Sequence, residues 1–274
     1  MKRLLSMLGF LAIMLSTSAK ALDISYSNIN PFNGENGEIG KAETLLLKGE
    51  ITPGDYEHLL KVIRSDQVRF WKSVGFVLSS PGGDLQEAMK IARLVKGTYS
   101  RAFVGSATGN CVSACFFIYV SAVHRLAVSG SIGIHRPYLH PQKMVSLSAY
   151  EAEKFQNNVL RQARSYLENL DVPTGLVDKM FQRASTEVYW LSSDEIDEQL
   201  GIRPPWYEQF LIARCGLNKS IERKKLSNNT NETNFDDMAE VENCGSRLSM
   251  PEATAFLSSE LKSTSQKKAI TSKK

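Results

Sequence analysis

Residues 74–84 have the sequence VGFVLSSPGGD, and this segment decides the fold class. The apolar run 74–78 is short and bounded by turn residues, which is typical of a strand buried on both faces of a parallel sheet. The turn at residues 80–83 ends this strand, and Asp84 begins a helix with one apolar face. A buried strand that leads directly into an amphipathic helix predicts an α/β fold.

Short strands and helices alternate on both sides of this segment. Further strands are predicted at 42–51, 99–105, 125–128, 131–134 and 188–191, and further helices at 56–64, 113–122, 150–170, 174–183 and 193–200. This order predicts one domain over residues 42–217, with a mostly parallel sheet and right-handed βα crossovers. An irregular lead-in is expected at 22–41. The polar residues 218–274 are expected to form a largely disordered tail with one weak helix around 251–261.

The first 21 residues have the pattern of a signal peptide. Lys2 and Arg3 precede the apolar run Leu4–Leu15, which is too short to span a bilayer comfortably, although an uncleaved anchor is the alternative. Without these residues the basic count falls from 33 to 30 against 29 acids, so the net charge falls from +4 to +1. We therefore expect a periplasmic or secreted protein with no membrane span after cleavage. Its charge gives no support for a nucleic-acid partner.

The four cysteines fit an oxidising compartment. Cys111 and Cys115 are either buried packing residues or a disulfide that stiffens the turn between them. Cys215 and Cys244 can close a loop near the C-terminus. The spacing matches no structural zinc site, so no metal is expected.

Two glycines lie where the strand at 74–78 ends. Gly82 and Gly83 allow close approach of a substrate to the backbone, and the following helix start adds positive potential. In an open parallel sheet this edge binds ligands, so the turn is a candidate donor of hydrogen bonds to an oxyanion. The alternative is an ordinary strand-to-helix turn.

A serine and a histidine follow two later strands. Ser113 begins an apolar helix, where a serine is usually an N-cap. His135 comes directly after the strand 131–134, so its imidazole is expected at the same edge and can act as general base for Ser113. The alternative for His135 is a packed or capping histidine. His58, His124 and His140 are expected to be surface or loop residues.

These motifs together resemble the ClpP-type serine peptidases of the crotonase-like superfamily over about residues 42–203. The chain is similar in particular to their exported, periplasmic members, where the nucleophile stands in a Cys-x-Ser-Ala-Cys setting. The resemblance rests on the order and spacing of three motifs, with a later stretch, 189–202, that resembles the last strand and helix of the family. The three motifs are Ser80-Pro81-Gly82-Gly83, Ser113-Ala114 and Ile132-Gly133-Ile134-His135-Arg136-Pro137.

The resemblance implies a role for each matching residue. Ser113 matches the nucleophile, His135 the base, and the N–H groups of Gly83 and Ala114 the oxyanion hole. The family aspartate falls on Val188, so Glu187 is the candidate third member only if the backbone shifts, because one residue along a strand reverses the face.

Two other arrangements for this third position stay open. A Ser-His dyad oriented by a backbone carbonyl or water is one of them. The related signal-peptide peptidases use a Ser-Lys dyad, for which Lys143 is the nearest downstream lysine.

The resulting expectation is an exported serine peptidase that cleaves peptides or proteins without a cofactor. The resemblance also implies a homo-oligomer, and export argues against an ATPase partner and against acyl-CoA chemistry. The alternative is an inactive scaffold of the same fold that binds peptides or a partner protein, which Val188 favours.

Overall fold

The computed structural model describes residues 22–29, 42–105, 109–138, 144–217 and 233–271. The strands are β1 (Asp23–Ile29), β2 (Ala42–Lys48), β3 (Phe76–Ser79), β4 (Arg101–Val104), β5 (Cys111–Val112), β6 (His124–Ala127), β7 (Ile132–Ile134) and β8 (Tyr189–Trp190). The helices are α1 (Asp55–Ser65), α2 (Gln67–Lys72), α3 (Leu85–Gly97), α4 (Ala114–Val120), α5 (Ala149–Glu168), α6 (Thr174–Gln182), α7 (Pro205–Cys215) and α8 (Thr233–Thr271), with a π-helical turn at Glu195–Leu200. The signal-peptide residues 1–21 lie outside the described residues.

The strands form two sheets. The larger has the order β1-β2-β3-β4-β6, and its pairs are parallel except for β1 with β2. The smaller has the order β5-β7-β8, in which β5 and β7 are parallel and β8 is antiparallel. The predicted mixed α/β architecture with a mostly parallel sheet is therefore confirmed, while the hand of the crossovers stays a prediction.

Helix α4 lies in the centre of the core. Each of its seven residues is buried, and Tyr119, Phe116 and Phe117 are among the largest side chains with almost no exposed surface. Helix α3 buries the face that carries Ala88, Ile91 and Val95, as the periodicity predicts. Burying two consecutive phenylalanines fixes the start of α4 relative to both sheets.

The lead-in prediction is wrong for residues 23–29, which form β1. This strand pairs with β2 along its whole length, from Asp23 opposite Lys48 to Ile29 opposite Ala42. Its sequence, DISYSNI, is mostly polar, and only Ile24 is buried, so the local pattern gives little indication of a strand. Hydrogen bonds to β2 supply the stability that the side chains do not.

The prediction of a largely disordered tail is wrong for residues 233–271, which form α8. The weak helix expected around 251–261 is the part of α8 whose side chains Ala253, Leu257 and Leu261 are buried against the domain. These residues are four apart, so they lie on one face of the helix. The sequence of α8 is otherwise rich in polar residues, and that composition suggested disorder.

Two disulfides fix parts of the chain. Cys111–Cys115 closes the turn at the start of α4, and Cys215–Cys244 joins α7 to α8. Within the described ranges, none of the helices combines the length and the apolar character that crossing a bilayer requires.

Candidate active site

The ends of three neighbouring strand segments meet at one edge. Beyond β3, Ser80 N–H donates to the carbonyl of Asn110 at 2.8 Å, and Val112 N–H donates to the carbonyl of Ser80 at 2.9 Å. Beyond β5, Ser113 N–H donates to the carbonyl of Gly133 at 2.9 Å. The residues that follow β3, β5 and β7 therefore lie side by side, and these are the residues that the motifs predicted to share an edge.

Ser113 has an unusual backbone conformation. Its φ is 58° and its ψ is −120°, in a region that residues with a Cβ rarely adopt. Ser113 holds the N-cap position of α4, but its side chain makes no capping hydrogen bond to the helix, so its hydroxyl is not engaged as a cap. Such a conformation costs about 1–3 kcal/mol and persists only where the surroundings impose it. Here the disulfide Cys111–Cys115, the hydrogen bond to Gly133 and the buried α4 do so.

The Gly82–Gly83 turn packs directly against Ser113. A Cβ on Gly82 would lie 2.7 Å from the Ser113 Cβ and 3.1 Å from the Ala114 nitrogen, so only glycine fits there. Gly83 packs equally tightly on Ile51, whose carbonyl oxygen would be 2.1 Å from an added Cβ. Both glycines have positive φ, 101° and 136°. Two close approaches and two positive φ angles explain why the sequence has consecutive glycines here.

Two backbone N–H groups at this turn have no acceptor among the described residues. They belong to Gly83 and Ala114, while the neighbouring Gly82 carbonyl and Asp84 N–H bond to Ile51 at 2.8 and 2.7 Å. Gly83 is exposed, so its N–H is open to solvent or to a ligand, whereas Ala114 is buried, where a backbone N–H is nearly always paired. Unused donors beside Ser113 can therefore bind an oxyanion that forms there.

A buried carboxylate braces the segment that packs on this turn. Glu87 is 2% exposed, and its Oε1 accepts hydrogen bonds from Gly54 N–H at 3.0 Å and Tyr56 N–H at 2.8 Å. Its other oxygen forms an ion pair with Lys90 at 2.8 Å. Because Gly54 has no side chain to cap α1, Glu87 from α3 takes that role. Sequence reasoning missed Glu87, since a glutamate in the first helical turn is ordinary.

His135 follows β7 and is 7% exposed. Its Nδ1 lies 3.1 Å from the carbonyl oxygen of Arg136. Because a carbonyl oxygen only accepts, this hydrogen bond places the proton on Nδ1 and leaves the lone pair on Nε2. In the parallel register of β5 and β7, Val112 pairs with Gly133, so Ser113 and His135 are one and two residues beyond that pair at the same edge.

Among the described residues, no carboxylate occupies the position beside His135 where the third member of a catalytic triad would lie. In the antiparallel register Ile134 pairs with Tyr189, so Val188, just before β8, is the residue next to His135, and a Cβ on Gly133 would lie 2.7 Å from Val188 Cγ1. Glu187 is exposed, and its side chain makes no hydrogen bond or ion pair to any described residue. Glu187 therefore makes no hydrogen bond to His135, and the group that contacts Nδ1 is a backbone carbonyl.

His124 is not the surface residue that the sequence predicts. It lies in β6, where it pairs with Arg101 of β4, and its Nδ1 is buried with no hydrogen-bond partner in the part of the chain that the structure describes. Burial lowers the pKa of His124 to about 4, and the nearby Arg203 and Arg101 act in the same direction against the opposing charge of Glu242. His124 therefore stays neutral at neutral pH, as part of the contact between the sheet and α8.

The remaining candidate ligands are dispersed. His58 is exposed on α1, as predicted, while His140 and Lys143 lie outside the described residues. In the described ranges, no three His, Cys, Asp or Glu side chains are grouped so that they can hold a metal ion.

Comparison with known proteins gives weak similarities. Neither the family models nor the curated proteins match this chain. Among solved structures, it is similar to ClpP1 of Listeria monocytogenes, with TM-scores of 0.43 for a point mutant and 0.40 for the unmutated protein, each at 20% identity over 58% of this chain and 88% of the other. It is also similar to a point mutant of the 1510-N membrane-bound stomatin-specific protease, with a TM-score of 0.39 and 15% identity over 58% of this chain and 75% of that one. At such identities the similarity says nothing about activity.

Proposed function

We propose that this protein is a serine peptidase with a Ser113–His135 dyad. The conformation of Ser113 carries the proposal: a serine with φ of 58° begins a buried helix, makes no cap, and adjoins two N–H groups without a described acceptor. Strained non-glycine residues of this kind cluster at functional sites. A strained strand-to-helix turn is also how other hydrolases expose a nucleophilic serine.

The proposed reaction assigns one step to each group. His135 Nε2 takes the proton of the Ser113 hydroxyl as its oxygen attacks the carbonyl carbon of a peptide bond. The N–H groups of Gly83 and Ala114 hold the negative oxygen that forms. The imidazolium then gives its proton to the leaving amine as the C–N bond breaks, and water repeats the sequence on the acyl-enzyme.

A backbone carbonyl replaces the usual carboxylate in this proposal. The Arg136 carbonyl fixes the His135 tautomer, but it is neutral, so it stabilises the imidazolium less than a carboxylate does. In other serine hydrolases, loss of the orienting acid costs about 10⁴ in kcat. We therefore expect slow turnover on unselected peptides, with acyl-enzyme formation easier to detect than release of product.

A fluorophosphonate probe tests the proposal directly, because it reacts with an activated serine and requires no knowledge of the substrate. Labelling is expected for the oxidised protein and is expected to be lost in Ser113→Ala and His135→Ala. His58→Ala is the control, since His58 is exposed and distant in the chain from the site. An unlabelled but folded wild-type protein would contradict the proposal.

One observation favours the second candidate function, an inactive scaffold that binds peptides or a partner protein. Val188 stands beside His135, and 39% of its surface is exposed, so an apolar side chain occupies the place where an acid would assist the base. If the probe fails while a peptide still protects this edge from hydrogen exchange, the scaffold is the better description.

Export and self-association complete the proposal. The pattern of residues 1–21 and the two disulfides support a periplasmic or secreted location, where thiols are oxidised. Val145, Tyr150 and Phe155, at and near the start of α5, are 86, 71 and 44% exposed, which supports a homo-oligomer that covers them. Light scattering after size-exclusion chromatography tests this, with Tyr150→Ser expected to weaken the assembly.

A further inference from the structure

A groove of about 570 Å³ lies between α3 and α5, within the size range of ligand sites. Its α3 wall contributes Gln86, Met89, Lys90 and Arg93, and the wall formed by α5 and the residue after it contributes Arg161, Gln162, Ser165, Tyr166 and Asn169. No acidic side chain is among these lining residues. The groove therefore offers hydrogen-bond donors and positive charge over a floor that Met89 and Tyr166 make partly apolar.

Two of the three cations in the groove have no counter-ion among the described residues. Lys90 is neutralised by the buried Glu87 at 2.8 Å. Arg93 and Arg161 are exposed, and neither forms an ion pair with any residue that the structure describes. Arg164, on the same helix as Arg161, contrasts with them because it pairs with Asp178 at 2.9 Å. Guanidinium groups in an open groove can bind carboxylates with two hydrogen bonds each.

The groove begins next to the candidate active site. Helix α3 starts two residues after Gly83, so Gln86 lies at the end of the groove nearest to this turn, where its amide donates to Gln162 of α5 at 2.6 Å. On the other wall, Gln156 of α5 donates to the carbonyl of Pro137, just after His135, at 2.9 Å. Arg93 is eight residues beyond Leu85, the first residue of α3, which is about 12 Å along the helix and is spanned by about four residues of an extended peptide.

We propose that this groove binds an acidic segment of the substrate, four or five residues from the bond that is cleaved. The inference rests on the proposed peptidase function for its place in catalysis, but the binding itself requires only the groove. Arg93 and Arg161 hold the carboxylates, and the amides of Gln86 and Gln162 hold the peptide between these carboxylates and Ser113.

Binding is measured on full-length Ser113→Ala protein, which cannot cleave the probe. The probe is a fluorescein-labelled peptide of alternating alanine and glutamate, and its counterpart has glutamine in place of glutamate. By anisotropy at low salt we expect the glutamate peptide to bind at least tenfold more tightly. We expect Arg93→Gln and Arg161→Gln each to weaken it about three- to fivefold and physiological salt to reduce the difference.

Lys154→Gln is the matched control, because it removes one exposed positive charge from α5 outside the groove. Equal binding of the two peptides, or equal weakening by Lys154→Gln and Arg161→Gln, would overturn the proposal. Failure of the fluorophosphonate test would not overturn the binding proposal, because peptide binding is measured without catalysis. If the fluorophosphonate does label Ser113 in the wild-type protein, Arg93→Gln and Arg161→Gln should raise KM for cleavage of an acidic peptide and leave kcat unchanged.

Discussion

Replacing Gly82 by alanine would place a methyl group inside the turn that carries Ser113. The added Cβ would lie 2.7 Å from the Ser113 Cβ and 2.8 Å from the Val112 carbonyl oxygen. Neither atom is the end of a flexible side chain, so relieving the clash requires the backbone to move. The φ of 101° also disfavours alanine. Overpacking costs about 1–3 kcal/mol, and the positive φ adds about 1–2 kcal/mol.

We therefore expect Gly82→Ala to lower the free energy of unfolding by about 2–5 kcal/mol. Because the turn can relieve the clash only by moving Ser113 or Ala114, the rate of fluorophosphonate labelling should fall by at least tenfold in protein that is still folded. Urea unfolding followed by circular dichroism measures the first effect, and gel fluorescence after timed labelling measures the second.

Gly216→Ala is the matched control. Gly216 also has a positive φ, 72°, but an added Cβ meets nothing within 4 Å, so only the conformational cost of about 1 kcal/mol remains. Labelling of this variant should be unchanged. If Gly82→Ala is no less stable than Gly216→Ala and is labelled at the wild-type rate, the close contact between the glycine turn and Ser113 is not what shapes the site.

Three further changes test the supports of the site and of α8. Glu87→Gln should cost about 2–3 kcal/mol, because a buried amide cannot both accept from the start of α1 and neutralise Lys90; the exposed Glu57→Gln is its control in urea unfolding. His124, with a pKa of about 4 when folded and about 6.5 when unfolded, should make the protein less stable as the pH falls from 6.5 to 4. The part of the loss that comes from His124 should be about 2–4 kcal/mol and should level off near pH 4, and His124→Leu should remove this part of the pH dependence. Cys215→Ser should lower the free energy of unfolding by about 3–4 kcal/mol, because it removes a cross-link between residues 29 apart in the chain. The unfolding of the variant and of the wild-type protein is compared with and without a reducing agent.

Each of these predictions has a contrary outcome. Equal stability of Glu87→Gln and Glu57→Gln would mean that α1 is capped in another way. A pH profile unchanged in His124→Leu would assign the acid loss to other groups. If reduction destabilises Cys215→Ser as much as the wild-type protein, Cys215–Cys244 is not the bond that matters.

Much of the fold was predictable because its signals are local. The apolar run at 74–78 and the helix at 113–122 bury nearly all their side chains, so composition alone identifies them. Strand β1 was not predictable, because DISYSNI is stabilised by backbone hydrogen bonds to β2, which lies beyond residues 30–41. Helix α8 was missed because its buried residues are few and are separated by polar ones.

The candidate active site was likewise only partly predictable from the sequence. Ser113 and His135 directly follow β5 and β7, and Gly83 lies in the turn after β3, so all three were identifiable because parallel strands bring such positions together. The Arg136 carbonyl was not identifiable, since any residue type presents a carbonyl and only the backbone path aims it at His135. Glu87 was missed for a related reason: its partners are the N–H groups of a distant helix, and no residue type marks them.

The docking of α8 makes the beginning and the end of the domain depend on each other. Tyr56 hydrogen-bonds to Glu260, and Arg64 donates to the carbonyl of Leu261 at 2.8 Å, across about two hundred residues of chain. Leu257 and Leu261 belong to the same apolar cluster as Leu45 and Leu59. A nascent chain that emerges N-terminus first can therefore form its sheets early, but it leaves α1 uncovered until the last helix arrives. Folding is completed only after nearly the whole polypeptide has been delivered, so premature termination before α8 should yield a species prone to aggregation.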